Sequence, residues 1–454
     1  MSSANPRRAA FDILLRIEKE RSYADILIDR ELSGGELKGP DRGLLTELVY
    51  GVLRRRGTLD HIINRFSRQK VDKLERVVLI LLRLGLYQAL FLDRIPVSAA
   101  VNETVKLAKV LAPRSAGFIN AVLRTADRER DEIAYPDRQG DPVASLVARH
   151  SHPPWIIEQW IGQLGTAEAE SLAEAMSGPP PLTVRTNTLR ITRDDLIARL
   201  ADEGASAKAT RFSTDGLNLT SRTPLASLAS FQDGLCTIQD ESSQLAALFL
   251  APRPGERVLD LCAAPGGKAT HLAQLMEDSG SVVACDTAVR KLALVNENAR
   301  RLGITIIRTV PMNAAGLLSE SGHDELAADS FDRVLVDAPC SGLGVLRRNP
   351  EGKWWKSPAD VRELASRQKG ILLNAAGYLK EGGTLLYATC STTIEENEEV
   401  IADFLLKRPD FMLEDLKGLF PAYAELFTET GCFRSWPHRH AMDGFFAARL
   451  RKKR

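Results

Sequence analysis

Cys340 and Cys390 occupy matching settings. Each closes an apolar run, "VLVDAPC" at 334–340 and "LLYATC" at 385–390, and each is followed by a serine. A thiolate is the reactive form of cysteine, and a turn that opens a helix lowers the thiol pKa. One such cysteine is as readily a small core residue. Two in the same setting point to covalent catalysis, one sulfur attacking and the other assisting release. Such a pair suits a carbon that is barely nucleophilic, such as C5 of cytosine. Addition of sulfur at C6 turns C5 into an enamine carbon that accepts a methyl group, and Asp337 is placed to meet the N3 edge of the base.

A third stretch, "DLCAAPGGK" at 260–268, asks for a ligand. It reads as a strand end, then a loop of Cys262, Ala263, Ala264, Pro265, Gly266, Gly267 and Lys268 that opens a helix. The glycine pair lets the backbone approach a bound group, and the helix start offers unpaired N–H groups. Asp286 ends the next strand, at the spacing of a carboxylate that grips ribose hydroxyls. The loop is not GxGxxG, so a dinucleotide pyrophosphate fits poorly. S-adenosylmethionine, an adenosyl cofactor without phosphates, fits better.

These residues must be held by strands. From 255 onward short β-branched or Leu-rich runs ("ERVLDL", "SVVAC", "TIIRTV", "DRVLVD", "GTLLYAT") alternate with helical stretches. That order predicts an α/β domain over 241–454, a doubly wound, Rossmann-like and mostly parallel sheet with its ligands at the carboxyl strand ends. Residues 1–140 read instead as an all-helical bundle. Five segments repeat apolar residues at three- and four-residue steps, Ser98 is the expected N-cap of the fourth, and "AYPDRQGDP" is a polar linker. Between them, 146–240 reads as a small α/β module opening with a helix after Pro154.

Composition narrows the class. Six scattered cysteines without a CxxC pair exclude a disulfide scaffold or zinc ribbon. No apolar leader and no run of about 18 apolar residues is present, so a cytoplasmic chain without membrane contact is expected. Net charge is +1, yet residues 1–140 carry 25 Lys and Arg against 19 Asp and Glu, a bias compatible with nucleic acid or with a solvated face.

Together, "DLCAAPGGKATHLA", "DRVLVDAPCSGLGVLRRNPEGKWW", "LLYATCSTTIEENEEVI" and "DGFFAARL" resemble the RNA 5-methylcytosine methyltransferases. The helical N-terminal region resembles NusB, an RNA-binding fold, and the pairing is similar to the RsmB/Sun (Fmu) type of bacterial 16S rRNA methyltransferase. The resemblance implies S-adenosylmethionine held by Cys262 through Lys268, Asp286 and Asp337, with Cys390 as nucleophile and Cys340 aiding release. Where the family usually carries an aspartate after the third strand, "TVPMNAAGLL" offers Asn313 as the adenine contact. The implied partner is RNA, 16S rRNA or an assembling small subunit, met by a monomer.

Other features read plainly. His438 and His440 have no acidic or cysteine cluster at ligand spacing, so no metal is expected. The run "EENEE" at 395–399 complements a helix dipole. Trp354 and Trp355 read as packing residues, and Arg54, Arg55 and Arg56 as a solvated face with a possible role at RNA phosphates. Two competing classes are a non-catalytic RNA-binding or antitermination factor, which needs neither thiol, and a nicotinamide oxidoreductase, which lacks its fingerprint.

Overall fold

Apolar residues at three- and four-residue steps become helices throughout the first 180 residues. In the computed structural model, which describes residues 5–220, 223–316 and 326–454, they are α1 (Pro6–Glu20), α2 (Ala24–Ser33), α3 (Pro40–Phe66), α4 (Arg76–Phe91), α5 (Val97–Leu111), α6 (Ala116–Arg128), α7 (Pro142–His150), α8 (Pro154–Leu164) and α9 (Thr166–Ser177). Phe11, Ile17, Leu45, Leu48, Leu81 and Leu123 are buried at their centre. Arg83, which interrupts the longest apolar run, is buried there too. Its guanidinium donates to Asp60 at 2.7 and 2.8 Å and to Glu18, the charge-assisted pairing that a buried cation requires. Ser98 is not the N-cap of α5. The helix starts at Val97 on Pro96, whose carbonyl accepts from Ala99 and Ala100 N–H, because proline sets the entry angle and leaves Ser98 inside the first turn. The helices α2, α7 and α9 go beyond the expected five.

The chain forms two compact units, Met1–Pro179 with Leu346–Lys356, and Pro180–Val345 with Ser357–Arg454. The first compact unit runs to Pro179, because α7 to α9 continue the helical packing. None of the described helices is long and apolar enough to cross a membrane.

The second unit opens with an antiparallel sheet, β1 (Leu182–Thr186), β2 (Ala207–Ala209), β3 (Gly216–Leu219) and β4 (Cys236–Ile238), in the order β2-β3-β1-β4. Helices α10 (Arg193–Asp202) and α11 (Ala229–Gln232) accompany it, over a core of Val184, Leu196, Leu200 and Leu217. Helix α12 (Glu241–Leu250) leads to the larger sheet: β5 (Arg257–Asp260), α13 (Gly267–Leu275), β6 (Ser281–Asp286), α14 (Val289–Leu302), β7 (Ile307–Pro311), β8 (Phe331–Asp337), α15 (Pro358–Ala375), β9 (Leu379–Thr389), α16 (Glu398–Lys407), β10 (Phe411–Leu413), α17 (Leu416–Leu419), β11 (Phe433–Ser435), α18 (Pro437–His440) and β12 (Phe445–Lys452).

The sheet order is β10-β12-β9-β8-β5-β6-β7, with β11 on β12. Strands β7, β6, β5, β8 and β9 are parallel, as alternating elements demand, while β10, β11 and β12 add an antiparallel edge. From β5 the chain runs outward through β6 and β7, then returns to the opposite side of β5 as β8. The carboxyl ends of β5 and β8 therefore flank the point where strand order reverses, the place where open α/β sheets bind ligands. Register then matters. Asp260 lies opposite Leu335, and Asp337 opposite Ala388, so the loops after β5, β8 and β9 emerge side by side.

Candidate active site

A cavity of 320 Å³ opens at that reversal point, lined by Cys262, Ala264, Asp286, Asn313, Asp337 and Arg367 among others. Its size lies within the range of small-molecule sites, about 300–1,000 Å³. Asp286 accepts from Ala288 N–H at 3.1 Å, which fixes its carboxylate at the end of β6. Asn313 accepts from Ala315 N–H at 3.1 Å through its side-chain oxygen. Arg367, on α15, has no counterpart in the sequence reading; a lone arginine on an amphipathic helix gives no local signal.

The glycine loop is placed differently from its reading as a backbone cradle. Gly266 has φ +103°, and an added Cβ would stand 3.0 Å from the Val295 Cα on α14. The glycine is needed where loop and helix meet, and it is Cys262 and Ala264 that line the cavity. Ala263 N–H donates to the Cys285 carbonyl at 2.8 Å and Gly266 N–H to the Ala263 carbonyl at 2.7 Å, while Pro265, joined by a cis bond to Ala264, is exposed. Gly267 begins α13. Lys268 reaches Asp337 rather than the cavity, with Nζ at 2.7 Å from Oδ2 and 5.0 Å from the centre of the Phe445 ring. Burial works against its charge, but Asp337 and then Cys390 and Asp260 more than offset it, and its pKa is raised.

Beneath this pair lies Asp260, fully buried. Burial first, then the neighbouring Asp337 charge, pushes its carboxyl up to about 7, against the pull of Lys268 and the Cys262 N–H. Neither oxygen meets hydrogen-bond geometry with a described residue. The cavity wall carries two carboxylates, Asp286 and Asp337, and two cations, Lys291 and Arg367, a set that suits a ligand with groups of both signs. S-adenosylmethionine, with its sulfonium, ammonium and carboxylate groups, meets that condition. Burial also pushes the Cys262 thiol up, with the same aspartates adding to it, so this cysteine is an inert wall.

The two remaining partly exposed cysteines stand together. Cys340 Sγ lies 3.3 Å from Cys390 Sγ. The expected lowering of thiol pKa does not hold for Cys340. Its hydrogen bond with Cys390, then burial, then the charges of Cys390 and Glu396 raise its pKa well above the ordinary range, because no helix N-terminus or cation outweighs them. Cys340 thus holds its proton, within hydrogen-bond reach of the Cys390 sulfur. Behind the thiols Gly344 N–H donates to the Cys390 carbonyl and Gly444 N–H to the Gly344 carbonyl, each at 2.9 Å. A Cβ at Gly344 would lie 1.9 Å from the Gly444 oxygen, so the two backbones touch.

The acidic run after Cys390 divides in two. Glu398 and Glu399 stand in the first turn of α16, as a dipole role requires, but Glu396 and Asn397 are fully buried. The Glu396 carboxylate accepts from Ser341 N–H and Oγ, Ser391 Oγ, Thr393 Oγ1 and Gln368 Nε2, at 2.5–3.1 Å.

Arg185 of β1 was not singled out from sequence either. Fully buried, it donates to Gly267 O at 2.9 Å, Gln274 and Thr270 at 3.1 Å, and Gln239. Burial lowers its pKa to about 9. It fastens the small sheet to the first turns of α13.

Elsewhere His440 accepts from Trp436 N–H at 2.9 Å, and burial lowers its pKa to about 4. No group of three potential metal ligands occurs among the described residues. Trp355 packs edge-on against Tyr23 at 5.6 Å. The three consecutive arginines are half-buried rather than solvated: Arg54 donates to the Arg347 carbonyl at 3.0 Å, Arg55 covers Phe91 at 5.3 Å, and Arg56 covers Trp354 at 5.0 Å.

Comparison with known proteins adds independent evidence. Residues 247–451 match the family "16S rRNA methyltransferase RsmB/F", residues 4–128 the NusB family, and 152–226 a ferredoxin-like domain of RsmF/B-like methyltransferases. The chain is 39% identical over 455 residues to the "Probable ribosomal RNA small subunit methyltransferase B" of Bacillus subtilis (strain 168), covering all of both chains. Among solved structures, PH0851 superposes with a TM-score of 0.80 at 28% identity over the whole of both chains. NSun6 from Pyrococcus horikoshii with SFG gives 0.57 at 25% identity, over 66% of this chain and 98% of that one.

Proposed function

The chain belongs to the 16S rRNA methyltransferase RsmB/F family, and we propose that it methylates C5 of a cytosine through a covalent bond to Cys390. It is an S-adenosylmethionine-dependent methyltransferase whose substrate is rRNA. The observation that carries the finer reading is the 3.3 Å contact of Cys340 and Cys390, one residue beyond the Pro339 that lines the cavity.

Bound S-adenosylmethionine supplies an electrophilic methyl group. Asp286 would hold the ribose hydroxyls and Asn313 the adenine edge, while Asp337 would favour the cofactor's positive charge. The attacking sulfur is Cys390 Sγ, whose S–H proton passes to N3 of the base. Its attack forms the S–C6 bond and moves the C5–C6 pair toward C5. Asp337 uses Oδ2 for Lys268, so Oδ1 faces the base and accepts the N3–H of the adduct. After C5 has gained the methyl group, its proton must leave so that sulfur can be eliminated. Cys340 relays it, its sulfur taking the C5 proton as its own S–H proton passes to the departing Cys390 sulfur 3.3 Å away. A purely RNA-binding protein needs neither thiol.

The test is to incubate small-subunit rRNA with methyl-labelled S-adenosylmethionine and digest it to nucleosides for mass spectrometry. Label in 5-methylcytidine is expected. Label on ribose or on another base overturns the reading.

A further inference from the structure

We infer that Glu396 is the positioning residue that sets the separation of Cys340 and Cys390, by gathering the two loops that carry them onto one buried carboxylate. The inference rests on the reading of these thiols as the reacting pair. Strands β8 and β9 are parallel neighbours, but their ladder ends at Asp337 and Ala388; beyond it Ala338 N–H donates to the Ala388 carbonyl and Gly344 N–H to the Cys390 carbonyl, each at 2.9 Å, and Ser341 Oγ lies 3.1 Å from Ser391 Oγ. Each cysteine then lies on a separate loop.

Glu396 joins those loops from beneath. From the first it takes Ser341 N–H at 2.7 Å and Ser341 Oγ at 2.5 Å; from the second, Ser391 Oγ at 2.5 Å and Thr393 Oγ1 at 3.0 Å. Both serines directly follow the cysteines. Gln368 of α15 donates to Glu396 at 3.1 Å and to the Pro339 carbonyl at 2.9 Å, so the residue before Cys340 is tied to the same centre. Asn397 completes the arrangement around the other thiol, with its amide donating to the Ser391 carbonyl at 3.0 Å and its oxygen accepting from Thr389 at 2.5 Å.

Every contact to the carboxylate is a donor, and an ionised carboxylate offers about four lone-pair sites. Burying such a charge is costly unless it is hydrogen-bonded in this way. A helix-dipole role does not require it, since Glu398 and Glu399 already serve the start of α16. What the buried carboxylate adds is geometry. Removing it takes away the acceptor shared by both serines, leaving only their own 3.1 Å contact and the Gly344–Cys390 bond to hold the loops together. A displacement of about 1 Å between reacting groups costs roughly 100-fold in rate.

The experiment uses the full-length enzyme without RNA or cofactor and follows capture by phenylarsine oxide, which bonds two thiols only when they lie close together. Intact mass gives the rate, and Cys340→Ala gives the blank. Glu396→Ala is expected to slow capture at least about tenfold and to lower kcat in step, while KM for S-adenosylmethionine stays within about twofold. Glu396→Gln, which retains an acceptor oxygen, is expected to recover capture to within about threefold of the parent. A parental capture rate in Glu396→Ala overturns the assignment, as does an equal fall in both variants. Should Glu396→Ala fail to fold, Ser341→Ala with Ser391→Ala deletes two donors and leaves the carboxylate; about three- to tenfold slowing is expected, and an unchanged rate overturns it. Capture is read without RNA, so its failure leaves the cytosine adduct standing, and failure of the adduct leaves the capture result standing.

Discussion

The cofactor cavity and the dithiol centre lie on neighbouring strand ends, yet their polar groups are arranged in opposite ways. Around the cavity Asp286 and Asp337 share the wall with Lys291 and Arg367, and behind it both Asp260 oxygens fall short of hydrogen-bond geometry with any described residue. Around the thiols, the buried carboxylate of Glu396 is saturated with donors from the protein itself. The first region is built to be completed by a ligand. The second is complete beforehand, as chemistry between fixed sulfurs and a base requires. Polar satisfaction thus separates the proposed binding half of the site from the proposed reacting half.

The largest effect should come from the reacting half, where the two thiols are inequivalent. Cys390→Ala is expected to abolish both turnover and any covalent RNA adduct. Cys340→Ala should still attack and transfer methyl, then stall as a protein–RNA complex that runs as a shifted band on a denaturing gel. If Cys390→Ala traps RNA and Cys340→Ala does not, the roles are exchanged. The binding half should respond more mildly. Asp286→Ala removes one charge-assisted contact, so calorimetry should show S-adenosylmethionine affinity weakened by about 1.5–3 kcal/mol. Unchanged affinity would remove Asp286 from the cofactor site.

Asp260 tests whether the cavity is held in waiting. Its folded pKa of about 7 exceeds the ordinary carboxylate value, so the folded chain binds that proton more tightly than the unfolded one. The stability it contributes is full below about pH 4 and is lost as pH rises toward 7. Urea unfolding of the ligand-free protein should show this fall between about pH 4 and 7, and Asp260→Asn should flatten it. Equal pH dependence in both proteins would contradict the buried, unpartnered state of this group.

The smallest effect concerns RNA phosphates. With Arg54, Arg55 and Arg56 engaged internally, the exposed Arg68, Lys70 and Lys73 after α3 are better candidates. Replacing all three by Gln should weaken RNA binding uniformly across sequences and reduce the log–log salt slope by about 2. An unaltered slope places the footprint elsewhere.

Sequence showed most clearly what is local. Strand–helix alternation predicted the parallel core, and the strand-end positions of Cys340, Cys390, Asp286 and Asp337 followed from apolar runs ending in turns. Contacts between loops were not visible. Glu396 looked like one of several acids near a helix start because its donors lie 55 residues upstream as well as next door. Arg185 reads as an ordinary alternating residue in a strand, and only burial against α13 distinguishes it. Lys268 was grouped with its loop, but its length carries the ammonium to β8. The antiparallel edge gave little warning because β10 and β11 span three residues each.

The meeting of Gly344 and Gly444 has a consequence for heredity. Neither residue carries a reactive group, yet a side chain at Gly344 would collide with the backbone at Gly444 and with the Cys390 carbonyl 2.8 Å away. A screen for inactive alleles should therefore return both glycines beside the cysteines. The set of positions at which a spelling error silences the enzyme is wider than the set that performs its chemistry.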